Sequence, residues 1–282
     1  MPAALPLPQI STNVRLAATR LLSPDLAGAW AERLFLTPPT PEHPVASALD
    51  LIDARSSILQ HKGRHVVTWR WGSRDAPAVL LVHGWGGNAA QMRAFVFPLL
   101  SAGLRVVAYD QPAHGVSEGR LTGLPDFADV LAEVAWHHGD VRAVIGHSLG
   151  ATAAAMAHAW NKTDVGKFVL VSPPSDMLGY SRRFARWHWM PEPLRRSMQA
   201  AIEERYGVRW EELELARVAP RLSAKALVIH DRDDRMVPWK QGAAFAQKWQ
   251  GARFMTTEGL GHRRILEDAN VIHAAAEFIC DR

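Results

Sequence analysis

Six short apolar runs, separated by segments of helical periodicity, constrain the fold of this 282-residue chain more than any other feature. A strand that is apolar at every position has both faces buried, and strands that alternate with helices pair into a mainly parallel sheet. The pattern therefore predicts the α/β class, with a mainly parallel, doubly wound sheet and helices on both of its faces. The runs are residues 78–84, 104–110, 141–146, 167–172, 225–231 and 252–257.

Two segments depart from this alternation. The N-terminal extension contains a helix that Ser23 caps and Pro24 begins. We expect the extension to pack on the main domain, although its apolar stripe would also suit a membrane surface or a pocket cover. The second segment is helical and rich in Arg and Trp, which predicts an inserted cap over the carboxyl ends of the strands. The predicted boundaries are 1–44 for the extension, 173–224 for the cap, and 45–172 with 225–282 for the core.

Local signals predict two further elements. A hairpin is expected within residues 53–71, around the turn sequence HKGR. A helix is expected over residues 88–103, with Asn88 as its N-cap and Gln91 three residues later completing a capping box.

Composition and charge exclude several kinds of protein. The formal net charge is +4, and no block of like charges indicates a nucleic-acid-binding arm. The single cysteine, Cys280, excludes a disulfide within the chain. No run approaches the ~20 apolar residues that span a bilayer, so we expect a cytoplasmic protein without stable membrane insertion. Histidines and carboxylates do not share one element at ligand spacing, so we predict neither a metal nor a cofactor.

The third apolar run leads into the sequence GHSLG, residues 146–150, and an alanine-rich helical segment follows it. A serine on so tight a strand-to-helix turn needs glycine two residues before it and two residues after it, because side chains there would collide. This makes Ser148 a candidate nucleophile. A glycine-rich turn without any chemistry is the alternative interpretation of this stretch alone.

A serine hydroxyl becomes a good nucleophile only when a base removes its proton. His262 follows the last apolar run on a glycine-bearing loop, and this position distinguishes it among 13 histidines. A carboxylate must orient that histidine, and the loop after the preceding run offers Asp231, Asp233 and Asp234. Any one of the three acids could equally belong to a solvated turn. The order serine, acid, histidine along the chain is the order that suits this kind of sheet.

Stabilising the oxyanion of an acyl-transfer step requires two backbone donors. Leu149 follows Ser148 at the start of the predicted helix, where main-chain amides lack helical partners. Trp85 lies in the glycine-rich loop HGWGG, residues 83–87, after the first apolar run. We therefore predict an oxyanion hole formed by the N–H groups of Leu149 and Trp85.

Five segments, taken together, resemble the α/β-hydrolase-fold serine hydrolases, a family that includes esterases and carboxylesterases. They are LLVHGWGG, AYDQPAHGVSEG, GHSLG, VIHDRDDRMVP and GLGHRRIL, in that order along the chain. The resemblance covers roughly residues 75–172 and 224–282. It implies the α/β-hydrolase fold, with Ser148 as nucleophile, Asp234 as acid and His262 as base.

The sequence departs from the family pattern at two places. Asp231 stands where the family usually has glycine, which leaves open which acid is used. Ala113 replaces the usual glycine of D-x-P-G-H-G, in a loop that supports the site without taking part in the chemistry. We interpret His83 as a hydrogen-bonding residue of its own loop, and His114 and Asp110 as scaffolding.

The resemblance implies a serine esterase that cleaves a small-molecule carboxylic ester of short to medium acyl chain. Acyl transfer, or hydrolysis of a thioester, lactone or carbon–carbon bond by the same residues, is the alternative. A non-catalytic binding protein is disfavoured, since such proteins usually lack one of the three catalytic residues. Trp85, His147 and Trp187 are predicted to contact the substrate.

Five arginines of the predicted cap could attract an anionic substrate. Because acidic residues lie among them, a solvated helix face is the preferred interpretation. They are Arg182, Arg183, Arg186, Arg195 and Arg196.

Overall fold

The computed structural model describes residues 24–39, 51 and 53–281. They divide into two compact units. One unit contains residues 24–37 and 176–214, and the other contains the remaining described residues on either side of that insertion. The predicted helix cap Ser23, and the part of the extension's apolar stripe that precedes it, lie outside the described residues.

The larger unit contains a single sheet of eight strands, in the spatial order β1-β2-β4-β3-β5-β6-β7-β8. The first two strands form the predicted hairpin, and β2 pairs antiparallel with β4, whereas the other pairings are parallel. The predicted fold class is therefore confirmed. The strands are β1 (Arg55–His61), β2 (Arg64–Trp71), β3 (Ala78–Val82), β4 (Arg105–Tyr109), β5 (Val141–His147), β6 (Lys167–Val171), β7 (Lys225–Asp231) and β8 (Arg253–Thr257).

Burial explains why the central strands are apolar throughout. Every residue of β3 and β4 is buried, because helices cover both faces of the sheet there. At the edge, β8 is only partly covered, and its first residues are exposed. Helix α1 (Pro24–Leu36) belongs to the smaller unit. The helices of the larger unit before the insertion are α2 (Val96–Ser101), α3 (Leu124–His138) and α4 (Leu149–Ala159).

The predicted helix over residues 88–103 differs from the structure at its start. Residues Ala89–Phe95 form a 3-10 helix, and the α-helix α2 begins only at Val96. The side chain of Asn88 makes no capping hydrogen bond, so the predicted capping box is wrong. The Gln91 amide, which the Asn88 side chain would have accepted, donates instead to the main-chain oxygen of Asn88 at 3.2 Å, as a 3-10 helix requires. Asp110, in another loop, accepts the Ala89 amide at 2.7 Å.

The smaller unit is helical. It consists of α1 (Pro24–Leu36), α5 (Met177–Trp187), α6 (Glu192–Tyr206) and a 3-10 turn over Trp210–Leu213. Helix α1 begins at the predicted proline and packs against α6, where Glu32 forms an ion pair with Arg205. The ring of Phe35 contacts three aromatic rings of the inserted segment, which belong to Tyr180, Phe184 and Trp210.

The remaining helices follow the insertion, and they complete the larger unit. They are α7 (Leu215–Val218), α8 (Trp239–Lys248), α9 (Gly261–Arg264) and α10 (Ala269–Cys280). Asp268 caps α10 by accepting the amides of Asn270 and Val271, so the chain begins a new helix there after the short α9. Within the described residues, none of the helices has both the length and the apolar character that a membrane crossing requires.

Candidate active site

Ser148 lies at the tight turn between β5 and α4. Its backbone has φ 51° and ψ −123°, a region that residues with a side chain rarely adopt and that costs about 1–3 kcal/mol. The flanking glycines make this turn possible. A Cβ at Gly146 would lie 2.6 Å from Cα of Ala151, and one at Gly150 would lie 2.4 Å from the main-chain oxygen of His83.

The glycine-rich loop after β3 passes directly against the nucleophile. A Cβ on Gly84 would lie 2.8 Å from Cβ of Ser148 and 3.2 Å from the main-chain oxygen of His147. Only a residue without a side chain allows this approach. The loop that carries Trp85 therefore reaches the serine because of Gly84.

Hydrogen bonds hold this loop in place and leave the main-chain N–H of Trp85 without an acceptor among the described residues. The Gly86 amide donates to Nε2 of His114 at 3.0 Å, and the Gly87 amide donates to the Gly84 carbonyl at 3.0 Å. Within the described part of the chain, the Trp85 amide donates no hydrogen bond, and the Leu149 amide at the start of α4 donates none either. The two predicted oxyanion donors are therefore available.

The histidines of this region are supports, as the sequence predicts. Nε2 of His83 accepts the Gln111 amide at 2.9 Å, and its Nδ1 lies 2.7 Å from the Gly84 oxygen, so Nδ1 carries the proton. Burial, reinforced by the neighbouring His114, lowers the pKa of His83 well below its usual range. Burial lowers the pKa of His114 to about 4. Both rings stay neutral and act as fixed hydrogen-bonding groups.

Asp110 joins the same scaffold from the loop after β4. Its carboxylate accepts the amides of Ala89 at 2.7 Å and Val116 at 2.8 Å. Burial nevertheless raises its pKa to about 6, because the two amides only partly replace the lost hydration. This confirms the scaffolding interpretation of Asp110.

Asp234 and His262 form a buried pair at the ends of β7 and β8. Nδ1 of His262 lies 2.7 Å from Oδ2 of Asp234. The other carboxylate oxygen accepts the amides of Met236 and Val237 at 2.9 and 2.8 Å. Burial opposes ionisation, but hydrogen bonds from His230 and then His262 outweigh it and hold the pKa of Asp234 well below its usual range. Asp234 is thus a charged, oriented acceptor.

His230 is a contact that sequence reasoning missed. It is fully buried, and its Nε2 lies 3.3 Å from Oδ2 of Asp234 and 3.0 Å from the Val237 carbonyl oxygen. Both neighbours are acceptors, so Nε2 carries the proton and donates to them. A Cβ at Gly242 would lie 2.2 Å from Nδ1 of His230, so this glycine makes room for the ring. The sequence signal for this contact is the position of His230 near the end of β7, four residues before Asp234.

Asp231 does not contact the ring of His262, although it was one of three candidate acids. Its oxygens accept the amides of Gly261 at 2.9 Å and Leu260 at 3.1 Å, together with the Thr257 hydroxyl at 2.7 Å. Burial opposes its charge, but these hydrogen bonds prevail and lower the pKa of Asp231. Asp231 therefore fastens the loop that carries His262. The third candidate, Asp233, accepts the amide of Gly259 at 2.8 Å.

His147 connects the serine turn to the histidine loop. Its Nε2 lies 2.9 Å from the main-chain oxygen of His262, and the two rings are 4.7 Å apart. The carbonyl oxygen can only accept, so Nε2 of His147 is the donor. Burial, and then repulsion from His262, lower the pKa of His147 to about 3, so the ring is neutral. Because His147 precedes Ser148, this bond joins the candidate nucleophile to the candidate base.

The three residues predicted to contact the substrate differ in burial and in the unit to which they belong. Trp85 is half-buried, and its ring lies 5.4 Å from His114 and 6.3 Å from Phe127. His147 is buried beneath the site. Trp187 belongs to the smaller unit and is 59% exposed. Contact of these three residues with a substrate stays a prediction. Among the described residues, no group of His, Cys, Asp and Glu side chains could hold a metal ion.

Comparison with known proteins identifies the family. The model of the alpha/beta hydrolase family matches residues 79–275. The chain belongs to the alpha/beta hydrolase family. Among relatives of this alpha/beta hydrolase, a bifunctional esterase/perhydrolase DCH of Acinetobacter calcoaceticus is 26% identical over 251 residues, covering 72% of this chain and 91% of the relative. A non-heme chloroperoxidase of Streptomyces lividans is 25% identical over 270 residues, covering 77% and 96%.

Other relatives match a shorter part of the alpha/beta hydrolase. A serine hydrolase-like protein of Homo sapiens is 29% identical over 136 residues, covering 42% of this chain and 65% of that protein. Among solved structures, the esterase Pf2001 of Pyrococcus furiosus has a TM-score of 0.65 at 20% identity, covering 86% of this chain and 98% of the esterase chain. The structural likeness supports the fold, and the family match supports a hydrolase.

Proposed function

We propose that this alpha/beta hydrolase is a serine esterase that cleaves carboxylic esters of short to medium acyl chain through an acyl-enzyme on Ser148. The observation that carries the proposal is the hydrogen bond of 2.7 Å between Nδ1 of His262 and Oδ2 of Asp234. Since the carboxylate can only accept, Nδ1 holds the proton. In the neutral ring, Nε2 then keeps its lone pair and can act as a base.

The proposed reaction has two steps. Nε2 of His262 takes the proton of the Ser148 hydroxyl while Oγ attacks the acyl carbonyl, and the oxyanion accepts hydrogen bonds from the amides of Trp85 and Leu149. His262 then gives the proton to the leaving alcohol as the C–O bond breaks. Water, deprotonated by the same histidine, releases the acid from Ser148 and restores the hydroxyl. Asp234 stabilises the imidazolium that forms in each step.

The local strain at Ser148 supports the proposal. The positive φ of Ser148 and the three surrounding glycines form a turn much tighter than an ordinary strand-to-helix connection requires. They do bring the hydroxyl to the carboxyl edge of the sheet beside two unpaired amides. A hydrolase needs that arrangement for an acyl carbonyl.

Acyl transfer to an acceptor other than water is the second candidate. One relative is named for two activities, esterase and perhydrolase, which makes a choice of acceptor relevant here. Thioester, lactone and carbon–carbon substrates would use the same residues. Product analysis with a competing alcohol or with hydrogen peroxide separates transfer from hydrolysis.

The experiment is a panel of p-nitrophenyl esters of increasing acyl length, assayed with the wild-type protein and with Ser148→Ala. We expect hydrolysis that is fastest for short to medium chains and is lost in Ser148→Ala. The matched control is Ser101→Ala, at an exposed serine at the end of α2, which should keep wild-type rates. Equal activity in Ser148→Ala would refute the proposed mechanism.

A further inference from the structure

Helix α5 carries a concentration of positive charge that the proposed chemistry does not use. Between Asp176 and Glu192 the sequence contains Arg182, Arg183 and Arg186 and no acidic residue. Arg182 and Arg186 are exposed, and Arg183 lies over the ring of Tyr180 at 6.0 Å. In the described part of the chain, no ion pair involves any of these three arginines.

The other arginines of the same unit differ. Arg195 is buried and bonds to Glu192 and Ser181, and Arg196 also pairs with Glu192. These two arginines therefore already have partners, Arg195 on both α5 and α6 and Arg196 on α6. The three arginines of α5 are the cationic groups that face solvent without an acidic neighbour on their helix.

Three aromatic side chains of the same stretch of chain, residues 180–189, are exposed. Trp187 is 59% exposed, Trp189 is 73% exposed, and Tyr180 is 40% exposed. Residues 182, 183, 186 and 187 have helical spacings that put them on one face of α5. The buried face of the helix is a different one, formed by Met177, Ser181 and Ala185.

The backbone at Trp189 is strained, although the side chain is exposed. Trp189 has φ 50° at the position after the C-cap of α5, and the Met190 amide donates to the Ala185 carbonyl at 2.8 Å, as in a Schellman motif. Glycine is preferred at such a left-handed position. The next helix follows that preference, since α6 ends at Gly207 with φ 63°. Trp189 occupies a strained position and yet leaves most of its ring in water.

We propose that this face docks the protein peripherally on an anionic phospholipid membrane. We call it the basic-aromatic face; it comprises Tyr180, Arg182, Arg183, Arg186, Trp187 and Trp189. Tryptophan and tyrosine rings favour the headgroup level of a bilayer, and arginines are attracted to anionic lipid phosphates. Docking would bury the two tryptophans and would compensate for the strain at Trp189. The helix would lie in the interface and would not cross the bilayer.

Charge favours lipid over nucleic acid as the occupant. The whole chain has a formal net charge of only +4, and α6 in the same unit carries Glu203 and Glu204. A nucleic acid requires a longer basic track. A membrane surface requires no such track, because each arginine near anionic lipid contributes about 1 kcal/mol, or roughly fivefold in binding, and interfacial aromatic rings add to this.

The test is co-sedimentation of the full chain with phosphatidylcholine vesicles that either contain or lack phosphatidylglycerol. We expect binding only when phosphatidylglycerol is present, and weaker binding as salt is raised. Arg182→Gln combined with Arg186→Gln should lower the partition coefficient by roughly 10- to 30-fold. Trp187→Ala combined with Trp189→Gly should lower it at least about tenfold.

Controls use equally exposed residues outside the basic-aromatic face. Trp136 is 86% exposed on α3, so Trp136→Ala should bind vesicles like the wild type. Arg120→Gln combined with Arg221→Gln removes two other exposed arginines and should also leave binding unchanged. Trp189→Gly should keep or raise the thermal unfolding midpoint, because glycine relieves the left-handed strain.

Four outcomes would overturn the proposal. They are no binding of the wild type to phosphatidylglycerol vesicles, equal binding by both face variants, a clear loss of thermal stability in Trp189→Gly, and self-association or RNA binding through this face without vesicle binding. None of these measurements uses ester hydrolysis, so failure of the proposed enzyme activity would leave the result unaffected.

Discussion

Oδ2 of Asp234 lies 2.7 Å from Nδ1 of His262, and both side chains are buried. The geometry defines the tautomer of the histidine, and it distinguishes Asp234 from the two neighbouring acids. Replacing Asp234 by Asn would offer an amide in place of a charged acceptor, and the ring could rest in the wrong tautomer. We expect Asp234→Asn to lower kcat by about 10³- to 10⁴-fold, measured by steady-state hydrolysis of a p-nitrophenyl ester.

The control for that measurement is Asp233→Asn, at an exposed acid whose side chain accepts the Gly259 amide. We expect it to stay within about fivefold of the wild-type kcat, as is normal for a lost exposed hydrogen bond. Losses of the same size in both variants would contradict the role of Asp234.

Asp231 should matter for stability and for its pH dependence. Its pKa in the folded protein is lowered, so it stabilises the fold fully above the ordinary pKa of about 3.9 and loses that contribution as pH falls through the folded pKa. In Asp231→Asn, the side-chain NH2 group would face the main-chain N–H donors of the histidine loop and could not accept their hydrogen bonds. The free energy of unfolding at neutral pH should therefore fall by about 1–3 kcal/mol. Urea unfolding measures the free energy of unfolding at neutral pH and near pH 3. Between these two pH values, this free energy should fall more for the wild type than for the variant. An equal loss in both proteins would argue against this linkage.

His147 should act through the position of His262. His147→Phe keeps an aromatic ring and removes the hydrogen bond to the His262 carbonyl, so kcat should fall by about five- to tenfold. Since the pKa of His147 is about 3 and that of His114 is about 4, neither ring titrates above pH 5. The acid limb of the profile of kcat/KM against pH should therefore keep its midpoint in His147→Phe. A displaced midpoint would show that His147 itself ionises during the reaction.

Glycines around Ser148 should tolerate no side chain. Gly150→Ala puts Cβ 2.4 Å from the His83 oxygen, and Gly146→Ala puts it 2.6 Å from Cα of Ala151. Because both obstacles are backbone atoms, each variant should lose several kcal/mol or fail to fold. Gly166→Ala is the matched control, since nothing lies within 4 Å of a Cβ there and its φ is not left-handed. Wild-type stability in Gly146→Ala would contradict the steric account.

Several features could be predicted from sequence because each depends on a local pattern. The continuously apolar runs predicted the buried strands, and the sequence GHSLG predicted the turn that carries Ser148. The hairpin followed from its turn residues, and the start of α1 followed from the proline at position 24. All of these depend on neighbouring residues in the chain, so a single sequence contains the necessary information.

Other features depend on contacts between distant segments. The turn at Asn88 is a 3-10 helix without a side-chain cap, and its Ala89 amide donates to Asp110 in another loop. The contact of His230 with Asp234, and the attachment of the His262 loop to Asp231, arise only when β7 and β8 lie side by side. No periodicity or motif in the sequence reports such a pairing of side chains.

The most direct test of the account is the site of covalent labelling by a fluorophosphonate, located by mass spectrometry of the digested protein. We predict one phosphonyl adduct per chain, on Ser148, with loss of ester hydrolysis in proportion to labelling. Ser148→Ala should remain unlabelled and inactive. An adduct on another residue, or hydrolysis that survives complete labelling of Ser148, would contradict the proposal that this serine forms the acyl-enzyme.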